Sequence, residues 1–201
     1  MPDTAVRGYR SRRRSANAGA WLGSFRERAG DHEAAIVAGM IVHFICRGNA
    51  FRSIIAEAYL NSLKFKNLRA ISSGTAAAVD RARNLAAYNE TLELLAKNGI
   101  REFAKPGYGD QLTPSRLAGA DVVICMNQRV YDECQRLVCL PAGTRIWSVA
   151  DIGEPGRVAH TDEGRTRYRE EAYLEIVDGI GQFITELSRE AVSPGCHRSG
   201  S

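Results

Sequence analysis

Ile41-Val42-His43-Phe44-Ile45-Cys46-Arg47-Gly48-Asn49-Ala50-Phe51-Arg52-Ser53 is the stretch from which the rest of this sequence is best read. An apolar run ends in Cys46, five residues intervene, and Arg52-Ser53 opens the helical pattern Ile54-Ile55-Ala56-Glu57-Ala58-Tyr59-Leu60. A loop of that length between a strand and a helix can turn its backbone N–H groups inward as an anion-binding nest. The helix start adds further donors and the positive end of its dipole. Arg52 contributes a planar fork that can hold two oxygens of a phosphate or similar oxyanion. Cys46 stands at the rim of this positive field. The same field that binds an anion favours a thiolate, so its sulfur is expected to be ionised near neutral pH. The layout predicts an oxyanion cradle with a nucleophilic sulfur at its base.

Outward from this stretch, strands and helices alternate. The first strand is expected over 41–46 and the first helix over 53–63. A second strand follows at Leu68-Arg69-Ala70-Ile71-Ser72, then a turn at Ser73-Gly74-Thr75. Residues 84–97 carry Leu85, Tyr88, Leu92 and Leu95 at helical spacing, and Asn98-Gly99 ends that helix. Thr113-Pro114 fits an N-cap followed by proline at the first helical position. Asp121-Val122-Val123-Ile124-Cys125-Met126 is a continuous apolar run, as expected for a strand covered on both faces. A helix follows it with Val130, Cys134, Leu137 and Val138 on one face. Thr144-Arg145-Ile146-Trp147-Ser148-Val149 reads as the fourth strand and 150–164 as a loop. A last helix of about 20 residues runs through Tyr168, Ala172, Ile176, Ile180, Phe183, Ile184 and Leu187. Such alternation implies an α/β fold, a parallel sheet with helices on both faces. Ligands of such sheets bind at the carboxyl ends of strands, where Cys46 lies.

Composition limits the remaining choices. With 201 residues, 25% of them charged and 44% apolar, the chain has the size and balance of one globular domain with tails. A flexible basic extension is expected over 1–39, where Arg7, Arg10, Arg12, Arg13 and Arg14 sit among Gly, Ser and Ala. The folded domain is expected over 40–190 and a tail over 191–201. The net charge of +4 is too mild to argue for a nucleic-acid partner. No apolar run approaches membrane-spanning length. Cysteines at 46, 125, 134, 139 and 196 match neither a zinc site nor a disulfide framework. A reduced, cytoplasmic setting and a chain with no metal or other cofactor are the simpler expectations, and a monomer is compatible with all of this.

Cys46-Arg47-Gly48-Asn49-Ala50-Phe51-Arg52-Ser53 resembles the low-molecular-weight tyrosine phosphatase family, whose loop reads C-x-G-N-x-C-R-S. The thioredoxin-coupled arsenate reductases share that loop. Ser72-Ser73-Gly74-Thr75 is similar to the family's S-A-G-T segment, Ala120–Asn127 to its A-D-hydrophobic-M-D strand, and Asp151-Ile152-Gly153-Glu154-Pro155 to its D-I-P-D-P. The resemblance implies a four-stranded sheet of order 2-1-3-4. It also implies hydrolysis of phosphotyrosine in proteins, or of small aryl phosphates, through a phosphocysteine on Cys46. Arg52 and the N–H groups of residues 47–52 (Arg47, Gly48, Asn49, Ala50, Phe51, Arg52) would hold the phosphoryl oxygens. Ser53 would stabilise the leaving thiolate. Asn49, which tolerates left-handed backbone, and Ser72 would support the loop.

The general acid falls on Glu154, where the family carries Asp, with Asp151 as the fallback. Other departures are Phe51 for the family's second loop Cys, Ile54 for a Pro, Asn127 for an Asp, and no match near Phe103-Ala104-Lys105 for a supporting His. A looser or differently built surround of the loop follows from them. Tyr108 and Trp147 are candidates for an aromatic slot or for plain packing. Two other functions stay open: an arsenate reductase using Cys125, Cys134 or Cys139 as a thiol relay, and a non-catalytic phosphate-binding module.

Overall fold

The computed structural model describes residues 39–79, 81–152 and 161–192. Strands β1 (Met40–Cys46), β2 (Leu68–Gly74), β3 (Val122–Cys125) and β4 (Arg145–Ile146) form a parallel sheet in the order β2-β1-β3-β4. That is the expected order. The helices are α1 (Arg52–Ser62), α2 (Arg81–Lys97), α3 (Pro114–Leu117), α4 (Gln128–Gln135) and α5 (Asp162–Val192), with a 3-10 turn at Arg101–Phe103.

β1 is central, so both its faces are covered and its sequence is apolar without alternation. Val42, Phe44 and Cys46 face the larger core, built with α1, α5 and part of α2. Ile45 faces the smaller core, with Val123 and Cys125 of β3, Leu117 of α3 and Val130 and Cys134 of α4. Period-two alternation thus divides neighbouring residues of one strand between two layers. Cys46 ends β1 with its side chain on the larger-core side.

Several boundaries differ from the sequence expectation. β2 continues to Gly74 because the segment read as a turn pairs in register with Ile45 and Cys46 of β1. β4 has only two paired residues, since its sole neighbour β3 is itself short. α2 begins at Arg81, and Leu85 is exposed there, as is Leu137 just past α4. α5 begins at Asp162, inside the expected loop, and Thr161 Oγ1 accepts the Gly164 N–H at its start. A Thr followed by two acidic residues is a helix-start signal that the apolar period alone does not reveal. Asn127 caps α4 by accepting from Val130 N–H at 3.0 Å, which gives the residue standing in for the family's Asp a structural task. Thr113 accepts from Arg116 N–H ahead of Pro114, as the Thr-Pro pair predicted.

Candidate active site

The loop from Cys46 to Phe51 is held from outside by its carbonyls. Those of Cys46 and Arg47 accept from Thr75 and Ala76 N–H, that of Asn49 from Gly109 N–H, that of Ala50 from Thr91 Oγ1, and that of Phe51 from Ile55 N–H. In a trans peptide plane the carbonyl of one residue and the N–H of the next point in opposite directions. Turning these five carbonyls into the scaffold therefore turns the N–H groups of Arg47, Gly48, Ala50, Phe51 and Arg52 away from it. All five residues line a cavity of about 270 Å³ together with Cys46.

β2 and the loop are in backbone contact at Gly74. A Cβ built there would lie 2.5 Å from the Arg47 carbonyl oxygen and 2.8 Å from Asn49 N. Only glycine permits that approach.

Cys46 is buried and accepts from Asn49 N–H at 3.2 Å. Ser53 Oγ lies 3.0 Å from its sulfur. The Asn49 amide already donates to Ser53 Oγ at 3.1 Å, so the hydroxyl proton is left to point at the sulfur. Asn49 has φ +47°, and its side chain is fully used. Nδ2 also donates to Ser72 Oγ at 2.8 Å, while Oδ1 accepts from Lys105 Nζ at 2.6 Å and Asp110 N–H at 2.9 Å. The Ser72 hydroxyl in turn donates to Glu57 Oε2 at 2.5 Å. Burial raises the pKa of Glu57 above the usual carboxylate range, partly offset by this hydrogen bond from Ser72.

Of the two expectations, a looser surround or a differently built one, the structure shows the second: the loop's surround is closely connected, through other residues. Lys105, in the segment where no histidine was found, reaches the Asn49 amide. It also bonds Asp110 Oδ2 at 2.6 Å, and Asp110 holds Arg116 at 3.0 Å.

Arg52 is buried at the end of the loop. Its guanidinium donates to the Val149 carbonyl at 2.9 Å and pairs with Asp151 Oδ2 at 2.7 Å. Asp151 and Ile152 line the same cavity. Glu154 and Pro155, and with them the expected acid position, lie outside the described residues, as do the basic segment 1–38 and the tail from 193. Arg47 reaches sideways to Glu133 of α4 at 3.5 Å.

Further residues line the cavity for which the sequence pattern carries no site signal. Val79, Arg83 and Asn84 come from the start of α2 and the segment before it, and Tyr168 and Arg169 from the first turns of α5. The apolar period places Tyr168 on the core face of its helix. Its ring packs against Phe51 at 5.6 Å and its hydroxyl donates to the Ala150 carbonyl at 3.2 Å. Burial pushes its ionisation well above the ordinary tyrosine range. Tyr168 lies within α5 as the apolar period predicts, and it is the packing of that helix against the loop that brings its ring to the cavity. Tyr108 and Trp147 do not line this cavity. Tyr108 packs on Tyr88 at 5.7 Å, and Trp147 on Phe44 at 5.5 Å, against Gly179.

Cys125 and Cys134 sit in the smaller core with sulfurs 3.9 Å apart, and Cys139 is exposed. Neighbouring Cys125 and burial push the Cys134 thiol far up. Since Cys125 pairs with Ile45, it projects to the face opposite Cys46. No group of His, Cys, Asp and Glu among the described residues could hold a metal ion. No described helix is long and apolar enough to cross a membrane.

A cysteine at the base of a strand–loop–helix cradle, on a parallel sheet of order 2-1-3-4, defines a class of α/β proteins with a cysteine loop at the carboxyl end of the first strand. Within that class, the chain belongs to the family described as low molecular weight phosphotyrosine protein phosphatase, whose profile matches residues 41–192. Solved structures agree in fold. YfkJ from Bacillus subtilis is 23% identical with a TM-score of 0.54, covering 77% of this chain and 98% of its own. Vibrio vulnificus Wzb in complex with benzylphosphonate is 18% identical with a TM-score of 0.55, covering 73% and 98%. SP-PTP, a low molecular weight protein tyrosine phosphatase from Streptococcus pyogenes, is 20% identical with a TM-score of 0.55, covering 77% and 98%. A search of curated proteins found no match.

Proposed function

We propose that this protein is a cysteine-dependent phosphatase that hydrolyses phosphotyrosine or small aryl phosphate monoesters. The observation that carries this is the Cys46 sulfur, which takes hydrogen bonds from Asn49 N–H and Ser53 O–H beneath a ring of N–H groups closed by Arg52. The sulfur attacks phosphorus in line, the S–P bond forms and the P–O(aryl) bond breaks. A carboxylic acid gives its proton to the departing oxygen. The loop N–H groups and the Arg52 guanidinium hold the three equatorial oxygens. Water then attacks phosphorus and gives a proton to the same carboxylate, and the S–P bond breaks as Ser53 donates to the leaving thiolate.

Glu154 is the proposed acid, by its place before Pro155. Asp151 shares the cavity but already pairs with the guanidinium, which suits it to orienting Arg52. Phe51, Ile152, Val79 and the Tyr168 ring offer an apolar slot for an aryl group. Arsenate reduction by a thiol relay is disfavoured, because Cys125 and Cys134 lie in the layer on the other side of the sheet.

The test is hydrolysis of an aryl phosphate by wild type, Cys46→Ser, Glu154→Gln and Asp151→Asn, together with arsenate-dependent oxidation of thioredoxin. Wild-type turnover abolished in Cys46→Ser, and lowered about a hundredfold in Glu154→Gln, is the expected result. An inert wild type that still binds phosphate would overturn it in favour of a binding module. Thioredoxin oxidation dependent on Cys125, Cys134 or Cys139 would overturn it in favour of reduction.

A further inference from the structure

We propose that Lys105 is a positioning residue for the Cys46 reaction, holding the Asn49 amide in the one orientation that aims the Ser53 hydroxyl proton at the sulfur. This rests on the phosphatase assignment above and goes beyond it in naming how the nucleophile is directed.

An amide side chain can turn over and exchange its oxygen and nitrogen, and only its partners decide which way it lies. Around Asn49 two of the four partners are hydroxyls, which can donate or accept and so decide nothing. The other two can only donate. They are the Lys105 ammonium at 2.6 Å and the Asp110 N–H at 2.9 Å, and both meet Oδ1. Lys105 supplies the first directly. It steadies the second by binding the Asp110 carboxylate at 2.6 Å.

With Oδ1 fixed, Nδ2 must donate to both Ser53 and Ser72. Each serine then has its proton free for one further acceptor. Ser72 turns to Glu57 and Ser53 to Cys46. The direction of every hydrogen bond from the ammonium to the sulfur follows from a group that has no acceptor at all. A histidine there could reverse its role with tautomer or protonation near neutral pH, whereas an ammonium keeps one role throughout that range.

The charged and titratable groups around this unit are Asp110, Arg116 and Glu57 near Lys105, with buried His43 behind Ser73, and Arg47, Arg52, Arg83, Asp151, Tyr168 and Arg169 around the cavity that holds the sulfur. Lys105 forms an ion pair with Asp110. Its net field at the sulfur is therefore small, and its contribution is chiefly directional.

The test uses the full chain with Lys105→Met, which removes the donor, and Lys105→Arg, which keeps it. Two quantities are read: the pH midpoint of Cys46 alkylation by iodoacetamide, and kcat against KM for an aryl phosphate. In Lys105→Met the midpoint should move up by about half a pH unit, a roughly threefold loss of thiolate at fixed acidic pH. Its kcat should fall about tenfold with KM little changed, since the thiolate leaving group is no longer steadied. Lys105→Arg should recover most of both.

A Lys105→Met protein with the wild-type midpoint and kcat, whatever its melting temperature, overturns the proposal. So does a loss that Lys105→Arg leaves unrestored, which would assign the lysine to folding alone. Failure of the phosphatase assignment would look different, with wild type itself inert toward the aryl phosphate and its Cys46 titrating as an ordinary thiol.

Discussion

Asn49 is where backbone strain, loop support and nucleophile meet, and two truncations separate these contributions. Asn49→Ala and Asn49→Gly remove the same four side-chain hydrogen bonds, to Ser53, Ser72, Lys105 and Asp110. At about 1 kcal/mol net per bond, and more where a buried partner is left unpaired, both should lose about 3–4 kcal/mol of unfolding free energy. The two differ in backbone cost. The position has φ +47°, where a Cβ costs about 1–2 kcal/mol. The greater freedom of an unfolded glycine offsets part of that, about 0.4–1 kcal/mol. Asn49→Gly should therefore be the more stable of the two by roughly 0.5–1 kcal/mol.

Urea unfolding followed by far-UV circular dichroism measures this, and alkylation of Cys46 on the same samples reports the sulfur. Both variants should alkylate only at higher pH than wild type, because the Ser53 proton is no longer directed. The reasoning fails if either variant stays within about 1 kcal/mol of wild type, for the four bonds would then contribute little. It fails equally if Asn49→Ala is the more stable, for the left-handed backbone would then be no constraint.

Other outcomes follow from single contacts. Gly74→Ala places a Cβ against loop backbone, so aryl phosphate turnover should drop at least about a hundredfold by displacement of the cradle; turnover near wild type would show that β2 and the loop can separate freely. His43 is buried on β1 against Ser73 Oγ at 2.7 Å, and burial, with Arg116 and Lys105, lowers its pKa to about 4. A histidine held neutral in the fold protonates more readily once unfolded. Its stabilisation is complete above about pH 6.5 and is lost as pH falls toward about 4, at most about 3 kcal/mol. Urea stability of wild type should therefore fall more steeply over that window than that of His43→Gln, and parallel curves would contradict it. Cys134→Ala should lose about 1 kcal/mol of stability, for a small cavity, while keeping aryl phosphate hydrolysis. A turnover loss beyond about tenfold would place that thiol in the chemistry after all.

What could be read in advance was whatever depends on local order along the chain. The apolar run into Cys46, the five-residue gap and the helix after Arg52 define a strand–loop–helix unit by spacing alone, and unbroken apolar runs mark strands covered on both sides. Helix starts were readable where a cap precedes proline, as at Thr113-Pro114. The start at Thr161-Asp162 leaves no mark in the apolar period, because the first turn of that helix is polar.

Tertiary structure decided everything that depends on which distant side chains meet. Lys105 lies 56 positions from Asn49 and Arg52 lies 99 from Asp151. No spacing rule joins either pair, because each bond exists only after the sheet brings the loop following β1 against the segment between the 3-10 turn and α3, and against the loop following β4. The same holds for the thiols. Cys46 and Cys125 end neighbouring strands, and it is the one-residue offset in register that sends them to opposite faces of the sheet.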